Sequence, residues 1–187
     1  MENGSVLFPI PIVYRSLPVF KVRRKLFTPQ QCDALAGLVS RDRRHYHSPG
    51  VNTGKRVNFS YLEPEGNEWV YQKLARCFAR CNVWNIALTS IVEPVRLQTY
   101  SRDCYTDGHS DFDYAEPDMS KLTAIVPLVS RRSWTGGHFQ VGNQLATASI
   151  DKGDCLVFPS FQSHSVTRVS KGTRLVMSAW ASGPPLR

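Results

Sequence analysis

The chain has 187 residues, enough for one domain with its own hydrophobic core and too few for two full-sized domains. Hydrophobic residues make up 42% of it and charged residues 20%, which are globular proportions and exclude a wholly disordered or collagen-like chain. The 23 Lys and Arg outnumber the 15 Asp and Glu, and the resulting net charge of +8 favours a polyanion or an acidic small molecule as partner without choosing between them.

The N-terminal region, up to residue 27, is predicted to be extended. Its apolar stretch, 6–14, contains Pro9 and Pro11, which exclude a helix and favour an edge strand or a strap across the surface. No part of the chain approaches the roughly 18 uninterrupted apolar residues of a transmembrane helix, and no basic region precedes the apolar stretch as in a signal peptide. We therefore expect a cytoplasmic protein with no membrane partner.

Two helices are predicted before residue 90. The first begins after Thr28, which is a good N-cap, and has Pro29 at its first position and a capping glutamine at Gln31. A polar segment at 41–54, rich in Gly and His, is predicted to be a loop. The second helix is predicted over about 67–81, because six apolar residues share one face at helical spacing: Trp69, Val70, Leu74, Cys77, Phe78 and Cys81.

The pattern changes to short β-prone runs after about residue 91. Gly, Asp, Ser and Pro separate these runs, as is typical of strands joined by turns. The predicted strands are 95–100, 122–129, 138–141, 146–150, 155–159, 165–169 and 174–181. Two helices followed by about seven strands predict a mainly β fold with supporting helices (α+β), in which the helices pack on one outer face of a β-sandwich or open barrel.

The chain contains five cysteines, an odd number, and no Cys-x-x-Cys pair. They lie mostly within apolar runs, at Cys32, Cys77, Cys81, Cys104 and Cys155. We interpret them as reduced thiols of an intracellular protein.

A candidate metal site begins with His109 and Asp111, whose i, i+2 spacing projects both side chains to one face of a strand or of its end. His164 follows the predicted strand 155–159 and is the candidate third ligand. Two imidazoles and one carboxylate on one face of a metal leave open positions, an arrangement that suits non-haem Fe(II). A His-x-Asp pair also arises by chance, so a purely structural role for these residues stays open at this point.

A candidate anion site lies ten residues after His164, at Arg174. A strand that turns at Lys171 and Gly172 would return this guanidinium to the mouth of the same pocket. A fixed, permanently charged fork suits bidentate binding of a carboxylate.

These residues belong to a longer series of motifs that resembles a known family. In chain order the series is Tyr100, His109 with Asp111, the runs 121–128, 134–139, 152–160 and 164–174, and Trp180. It resembles the Fe(II)/2-oxoglutarate-dependent dioxygenases, in particular their prolyl 4-hydroxylase-like branch. The resemblance covers about residues 95–181, and its ordered conjunction is more specific than any single motif.

The resemblance implies a double-stranded β-helix (jelly-roll) core at 91–181, supported by the N-terminal strand and helices at 1–90, with 1–187 forming a single domain. It implies Fe(II) held by His109, Asp111 and His164, with O₂ and 2-oxoglutarate as co-substrates. It places the distal carboxylate of 2-oxoglutarate on Arg174, with Tyr100 at a position that often supports it. Tyr105 is displaced by one residue from the tyrosine expected before the metal motif, and it is kept only as a pocket residue.

Five further residues are candidate pocket or substrate positions. Trp180 alternates onto the same face of the last strand as Arg174 and is predicted to line the pocket. Trp134 is interpreted mainly as a packing residue that could touch substrate, and Asp113 as a residue of the rim or of a turn. Arg56 and Asn58 resemble a position that meets substrate in relatives.

The implied reaction is oxidative decarboxylation of 2-oxoglutarate to succinate and CO₂, coupled to hydroxylation of an unactivated C–H bond. An amino acid, a peptide or a small natural product is the predicted substrate. Nucleic-acid dealkylation, which the positive charge favours, ranks lower because Arg174 is followed by the apolar run 175–177 rather than by a second arginine. A non-catalytic jelly-roll binding module is the remaining alternative.

Overall fold

The structure is a computed structural model that describes residues 17–39, 57–112, 120–146 and 150–184. The predicted N-terminal strand at 6–14 and the polar loop at 41–54 lie outside the described residues, as does most of the predicted strand at 146–150. Among the described residues, no helix is both long enough and apolar enough to cross a membrane.

The described part of the chain contains two α-helices. The first, α1 (Pro29–Val39), begins with a reciprocal capping box: the Gln31 amide donates to the Thr28 hydroxyl, and the Thr28 amide donates to the Gln31 side-chain oxygen. The second, α2 (Glu68–Cys81), buries the predicted apolar face, with Trp69 packed at its margin. Both helix predictions are confirmed.

Most of the remaining described chain forms twelve β-strands, numbered here in chain order. They are β1 (Lys21–Arg23), β2 (Asn58–Leu62), β3 (Ser90–Tyr100), β4 (Thr106–His109), β5 (Ser120–Pro127), β6 (Trp134–Gly136), β7 (Phe139–Val141), β8 (Gln144–Leu145), β9 (Cys155–Pro159), β10 (His164–Val166), β11 (Val169–Gly172) and β12 (Arg174–Ser182).

The larger sheet has six antiparallel strands in the order β1-β9-β5-β12-β3-β2. The odd-numbered and even-numbered side chains of the central strand β12 lie on opposite faces of this sheet. Leu175, Met177, Ala179 and Ala181 belong to a buried cluster shared with α1 and α2, whereas Val176 belongs to a second cluster on the opposite face. The sheet is therefore covered on both faces, which is why β9 is an uninterrupted apolar run.

The second buried cluster lies between the six-stranded sheet and a four-stranded sheet of order β4-β10-β7-β8. Phe139, Val141 and Val166 of the smaller sheet pack in this cluster with Tyr100, Ile125 and Phe158 of the larger one. Strands β6 and β11 form a separate two-stranded ribbon at its margin. The result is a β-sandwich in which the even-numbered face of β12 looks into the interior.

The predicted strand at 165–169 is wrong in one respect, because the structure divides it. Strand β10 pairs with β4 and β7, whereas β11 pairs with β6 in the ribbon. The change of partner takes place at Thr167 and Arg168, and side-chain alternation gives no sign of it.

Candidate functional site

Three side chains that could hold a metal converge at one end of the sandwich. His109 ends β4, His164 begins β10, and the two are direct cross-strand partners, with ring centroids 4.2 Å apart. Asp111 follows two residues after His109 and places its carboxylate 3.5 Å from the Nε2 atom of each histidine. The three prospective ligand atoms lie within 4.8 Å of one another.

Backbone carbonyl groups orient both imidazoles. The Nδ1 atom of His109 lies 2.9 Å from the carbonyl oxygen of Asp107, and Nδ1 of His164 lies 3.1 Å from that of Gln162. Because a carbonyl can only accept, each Nδ1 carries a proton and donates it. The Nε2 atoms, which face Asp111, are therefore the atoms that can bind a metal, and the carbonyls fix each ring in that orientation.

Asp111 is held from three sides. Its Oδ2 accepts hydrogen bonds from the Thr123 hydroxyl at 2.7 Å and from the Trp180 indole at 2.9 Å. Its backbone amide donates to the carbonyl of Ser160 at 2.9 Å, and the Ser160 hydroxyl lies 2.9 Å from that of Thr123. The carboxylate is thus fixed by β5 and β12, and the backbone of Asp111 by Ser160 just after β9, before any ligand binds.

The electrostatics of the site favour an anionic carboxylate. Burial acts to raise the pKa of Asp111, but hydrogen bonds with His109, His164 and Trp180 outweigh burial and hold the pKa far below its usual range. Burial acts to lower the pKa of His109, but its hydrogen bonds with Asp111 and the Asp107 carbonyl leave it raised. One anionic oxygen and two imidazole nitrogens form a donor set that suits a divalent first-row metal, which binds imidazole in its neutral form.

A buried cation lies further along the same face of β12. Arg174 is only 3% exposed, and its guanidinium lies over the ring of Tyr100, its cross-strand partner, at 4.7 Å. Its Nη1 is buried and has no hydrogen-bond partner among the described residues. Burial lowers the pKa of Arg174, although an arginine stays protonated in proteins. A carboxylate ligand would satisfy both the charge and the unpaired N–H group.

Tyr100 supports this region from β3. Its ring is buried under the Arg174 guanidinium, and its hydroxyl lies 3.1 Å from that of Thr106 and donates to Gln98 at 3.4 Å. The two residues expected from the sequence to bind one co-substrate are therefore neighbours in space.

The two tryptophan candidates take different positions. Trp180 touches the metal-ligand cluster through Asp111, and the Arg96 guanidinium lies 4.7 Å from the centre of its ring. Trp134 is buried, its indole N–H has no partner among the described residues, and Arg131 lies over its ring at 5.1 Å.

The structure does not bring Tyr105 and Asn58 to the metal ligands. Tyr105 lies under Arg168 in a separate groove of about 380 Å³ along β4 and β10. Asn58 pairs with Thr99, on the face of β2 and β3 that looks away from the interior. Arg56 and Asp113 lie outside the described residues.

Sequence reasoning missed several residues that shape the site. Thr123 and Ser160 position Asp111, while Phe139 and Phe158 pack against His164, with ring centroids 5.8 and 5.0 Å away. A signal for Thr123 was present, because it is the one polar residue within 122–128. The aromatic pair gave no signal, since both residues read as ordinary core.

Comparison with known proteins found relatives in sequence. A PKHD-type hydroxylase of Cupriavidus pinatubonensis is 31% identical over 102 residues, which are 50% of this chain and 45% of that protein. A PKHD-type hydroxylase of Prochlorococcus marinus is 24% identical over 98 residues, 51% of this chain and 44% of that protein. The chain thus spans less than half the length of the curated relatives it matches. No family model matches it.

Solved structures share the fold across most of the chain. The viral collagen prolyl hydroxylase of Paramecium bursaria Chlorella virus-1, in its 2OG complex, has a TM-score of 0.64, with 14% identity over 90% of this chain and 97% of that one. A Pseudomonas putida prolyl-4-hydroxylase has a TM-score of 0.65, with 14% identity over 89% and 94%. HygX of Streptomyces hygroscopicus, with nickel and 2-oxoglutarate bound, has a TM-score of 0.59, with 16% identity over 90% and 84%.

The chain therefore resembles prolyl 4-hydroxylase-like Fe(II)/2-oxoglutarate dioxygenases in sequence over half its length and in fold over about nine-tenths of it. The resemblance predicted from the motifs is confirmed. The cluster of His109, Asp111 and His164 can hold the metal that such enzymes use.

Proposed function

We propose that this chain is an Fe(II)- and 2-oxoglutarate-dependent dioxygenase that hydroxylates an unactivated C–H bond. The observation that carries the proposal is the convergence of a two-histidine, one-carboxylate cluster with a buried, unpaired arginine inside one β-sandwich. The first suits a divalent metal with open positions, and the second suits the far carboxylate of a dicarboxylic acid. Neither feature alone would distinguish a dioxygenase from a metal-binding module.

His109, Asp111 and His164 would hold Fe(II), and Arg174 with Tyr100 would bind the distal carboxylate of 2-oxoglutarate. When bound, Fe(II), 2-oxoglutarate and O₂ supply the oxidising chemistry, which yields succinate, CO₂ and a hydroxylated product. The carbonyls of Asp107 and Gln162 accept from the Nδ1 atoms, so that each imidazole presents its Nε2 atom to the metal.

Two further tasks fall to the chain itself. Thr123 and Trp180 hold the Asp111 carboxylate in one orientation, so that little reorganisation is needed when the metal binds. Phe139 and Phe158 exclude water from the side of His164 that faces the core. The other face, near Trp180 and Arg96, is the side from which a substrate would approach.

We further propose that residues 1–187 form one dioxygenase domain, that the sandwich is a double-stranded β-helix, and that the substrate is an amino acid, a peptide or a small natural product. The named relatives and neighbours support a hydroxylase of this type, two of them being prolyl hydroxylases by name. Arg56, Asn58, Tyr105, Asp113 and Trp134 stay candidates for substrate contact. Localisation in the cytoplasm stays a prediction.

The test is spectroscopic and does not need the substrate. Anaerobic addition of Fe(II) and 2-oxoglutarate to the wild-type protein should produce the visible charge-transfer band of a 2-oxo acid chelated to iron. His109→Ala should remove the band while leaving the circular dichroism spectrum unchanged. Exposure to air with free amino acids and proline-containing peptides should then release succinate.

A wild-type protein that is folded but gives neither the band nor succinate would refute the dioxygenase assignment. That result would leave the jelly-roll binding module as the function of the fold.

A further inference from the structure

A second concave site lies on the opposite side of the six-stranded sheet from the metal-ligand cluster. It has a volume of about 290 Å³ and is formed by β1, the turn after it and one face of α2. We call it the basic groove and define it by its lining residues: Arg23, Lys25, Leu26, Lys73, Arg76, Cys77 and Arg80. The function proposed above makes no use of it.

The lining of the basic groove is unusual in its charge. Five of its seven residues are cationic and none is acidic. Lys73, Arg76 and Arg80 follow one another at i, i+3 and i+7, so they form a row about 10 Å long on one face of α2. Arg23 and Lys25 form the opposite side.

Most of these cations are free to meet a ligand. Arg23, Lys25, Arg76 and Arg80 are exposed, and no ion pair within the described residues engages them. Lys73 differs, because its Nζ donates to the Leu26 carbonyl at 2.8 Å and to the Gln31 side chain at 3.0 Å. Lys73 therefore joins α2 to the turn after β1 and fixes the shape of the groove.

The concentration of positive charge in the basic groove lowers the stability of the protein when no anion is bound. Like charges one turn apart on a helix repel each other, and here the repulsion is not relieved by a nearby carboxylate in the groove. Asp154, an acidic residue near β1, is already paired with Arg24 at 2.7 Å. A ligand with several negative charges would turn the repulsion into attraction.

We propose that the basic groove binds the phosphodiester backbone of a nucleic-acid strand, without regard to base sequence. An extended polyanion fits better than a compact one because the cations form an exposed row and continue beyond the groove to Lys21. The lining has no aromatic ring on which a base could stack and only two apolar residues, Leu26 and Cys77. It therefore offers phosphate contacts alone.

The groove also lacks what a membrane surface would require. Membrane-binding faces combine cations with exposed apolar side chains that enter the bilayer. The exposed large apolar residues of the described chain are Leu17, Leu38, Val83, Leu145 and Phe161, and none of them lines the groove. The proposed binding of nucleic acid in the basic groove does not depend on the proposed dioxygenase activity, so it can be tested on the metal-free protein.

The experiment measures binding by fluorescence anisotropy. The metal-free wild-type chain is titrated against fluorescein-labelled oligonucleotides of about 20 residues, single-stranded and duplex, in mixed and homopolymer sequences, because single-strand sites span up to about 16 nucleotides. Titrations are repeated between about 50 and 200 mM salt, where phosphate contacts weaken steeply. We expect binding that depends little on sequence and falls as salt rises.

The decisive variant carries Arg76→Glu and Arg80→Glu, two exposed positions whose change relieves repulsion in the groove and should not lower the melting temperature. It should bind at least about tenfold more weakly at the lower salt, with a salt slope shallower by about 1.4, since each single-strand phosphate contact contributes about 0.7. The matched control carries Arg102→Glu and Lys171→Glu, which change the net charge equally, are exposed and do not line the groove. It should bind within about twofold of wild type.

Four results would overturn the proposal. They are absence of binding by the wild-type chain at low salt, equal weakening in both double variants, complete displacement of the oligonucleotide by stoichiometric pyrophosphate, and tighter binding to phosphatidylserine vesicles than to either oligonucleotide. The first result would show that the chain has no nucleic-acid site, and the second that binding reflects net charge alone. The last two would identify a compact phosphate site or a membrane surface instead.

Discussion

Arg174 keeps a guanidinium inside the sandwich, against two aromatic rings and away from water. Its Cζ lies 4.7 Å from the ring centre of Tyr100 and 5.9 Å from that of Phe139. Arg131 adds a second positive charge that acts to lower the pKa of Arg174 further. A buried cation with an unpaired N–H group is costly to hold, and the cost is offset only when an anion enters.

Arg174→Ala should therefore weaken 2-oxoglutarate binding while leaving the affinity for metal unchanged. The loss of hydrogen bonds to a charged group, about 1.5–3 kcal/mol, corresponds to about a 10- to 150-fold higher dissociation constant. Calorimetric titration of 2-oxoglutarate in the presence of Mn(II), beside a titration of Mn(II) alone, separates the two effects. Arg174→Lys, which keeps the charge without the fork, should lose less, and an equal loss of metal and co-substrate would contradict the assignment.

Thr123 acts on the metal centre only through Asp111, and its effect should be visible in metal affinity. Removing the donated hydrogen bond in Thr123→Val frees the carboxylate to rotate, and we expect metal affinity to fall about 10- to 100-fold. Thr123→Ser keeps the hydroxyl and should restore most of the affinity. If Thr123→Val binds Mn(II) as tightly as wild type, Trp180 alone is sufficient to hold Asp111.

At the scale of elements, the turn before β9 is where the N-terminal segment is fastened to the sheet. The amide of Phe27 donates to the carbonyl of Gly153 at 3.0 Å, and the amide of Gly153 donates to the carbonyl of Pro127 at 2.9 Å. Gly153 has a φ of 82°, and a Cβ there would overlap the Phe27 carbonyl oxygen. Glycine is needed at this position for both reasons.

Gly153→Ala should lower the melting temperature much more than Gly66→Ala. Gly66 has a similar φ of 76° but open space around the position of a Cβ, so its replacement isolates the cost of a left-handed backbone, about 1 kcal/mol. Gly153→Ala adds a backbone clash, and we expect at least about 2 kcal/mol more. Denaturant unfolding of both variants checks the difference, and equal effects would show that the loop moves freely away from Phe27.

Some elements are marked by neighbouring residues alone, and these could be predicted from the sequence. Others depend on pairing with distant strands, and these were missed. The N-cap at Thr28 and the helical spacing of α2 depend only on neighbouring residues, and both predictions are confirmed. Strand β9 is apolar throughout and was predicted with the right bounds. Strand β4, Thr106–His109, has no large apolar residue, so nothing local marks it as a strand; pairing with β10 makes it one.

The same distinction applies to the site. The spacing of His109 and Asp111 is local, and the family motifs supplied His164 and Arg174 as partners. The direction of Asn58, by contrast, depends on the register of β2 against β3, where a shift of one residue would reverse its face. Only the assembled sheet could supply that register.

At the scale of the whole molecule, the sandwich and its helices bury every cysteine. All five are buried and lie outside any disulfide, and burial raises the pKa of Cys32 to about 11. The Sγ atoms of Cys77 and Cys81 lie 3.9 Å apart in α2. The pKa values of both are also raised, that of Cys77 chiefly by a hydrogen bond with Cys155 and that of Cys81 chiefly by its hydrogen bond with Cys77. The thiolate forms of these three cysteines are therefore scarce at neutral pH.

Ellman's reagent should accordingly find no rapidly reacting thiol in the native protein and five after denaturation in guanidinium chloride. The native rate should follow global unfolding, so variants such as Gly153→Ala should react faster in proportion to their lost stability. A thiol that reacts at once in the folded wild type would show that at least one cysteine is reachable from solvent.

The direct pairing of His109 with His164 has a consequence for how the molecule reaches a unique structure. These ligands are cross-strand partners on β4 and β10, a short pair with little apolar content on β4 to hold its alignment. If either strand slipped by one residue, its imidazole would turn to the other face and the donor set would be lost. A divalent cation would thus bind only when β4 and β10 are correctly aligned. Its binding would stabilise that register over the slipped ones.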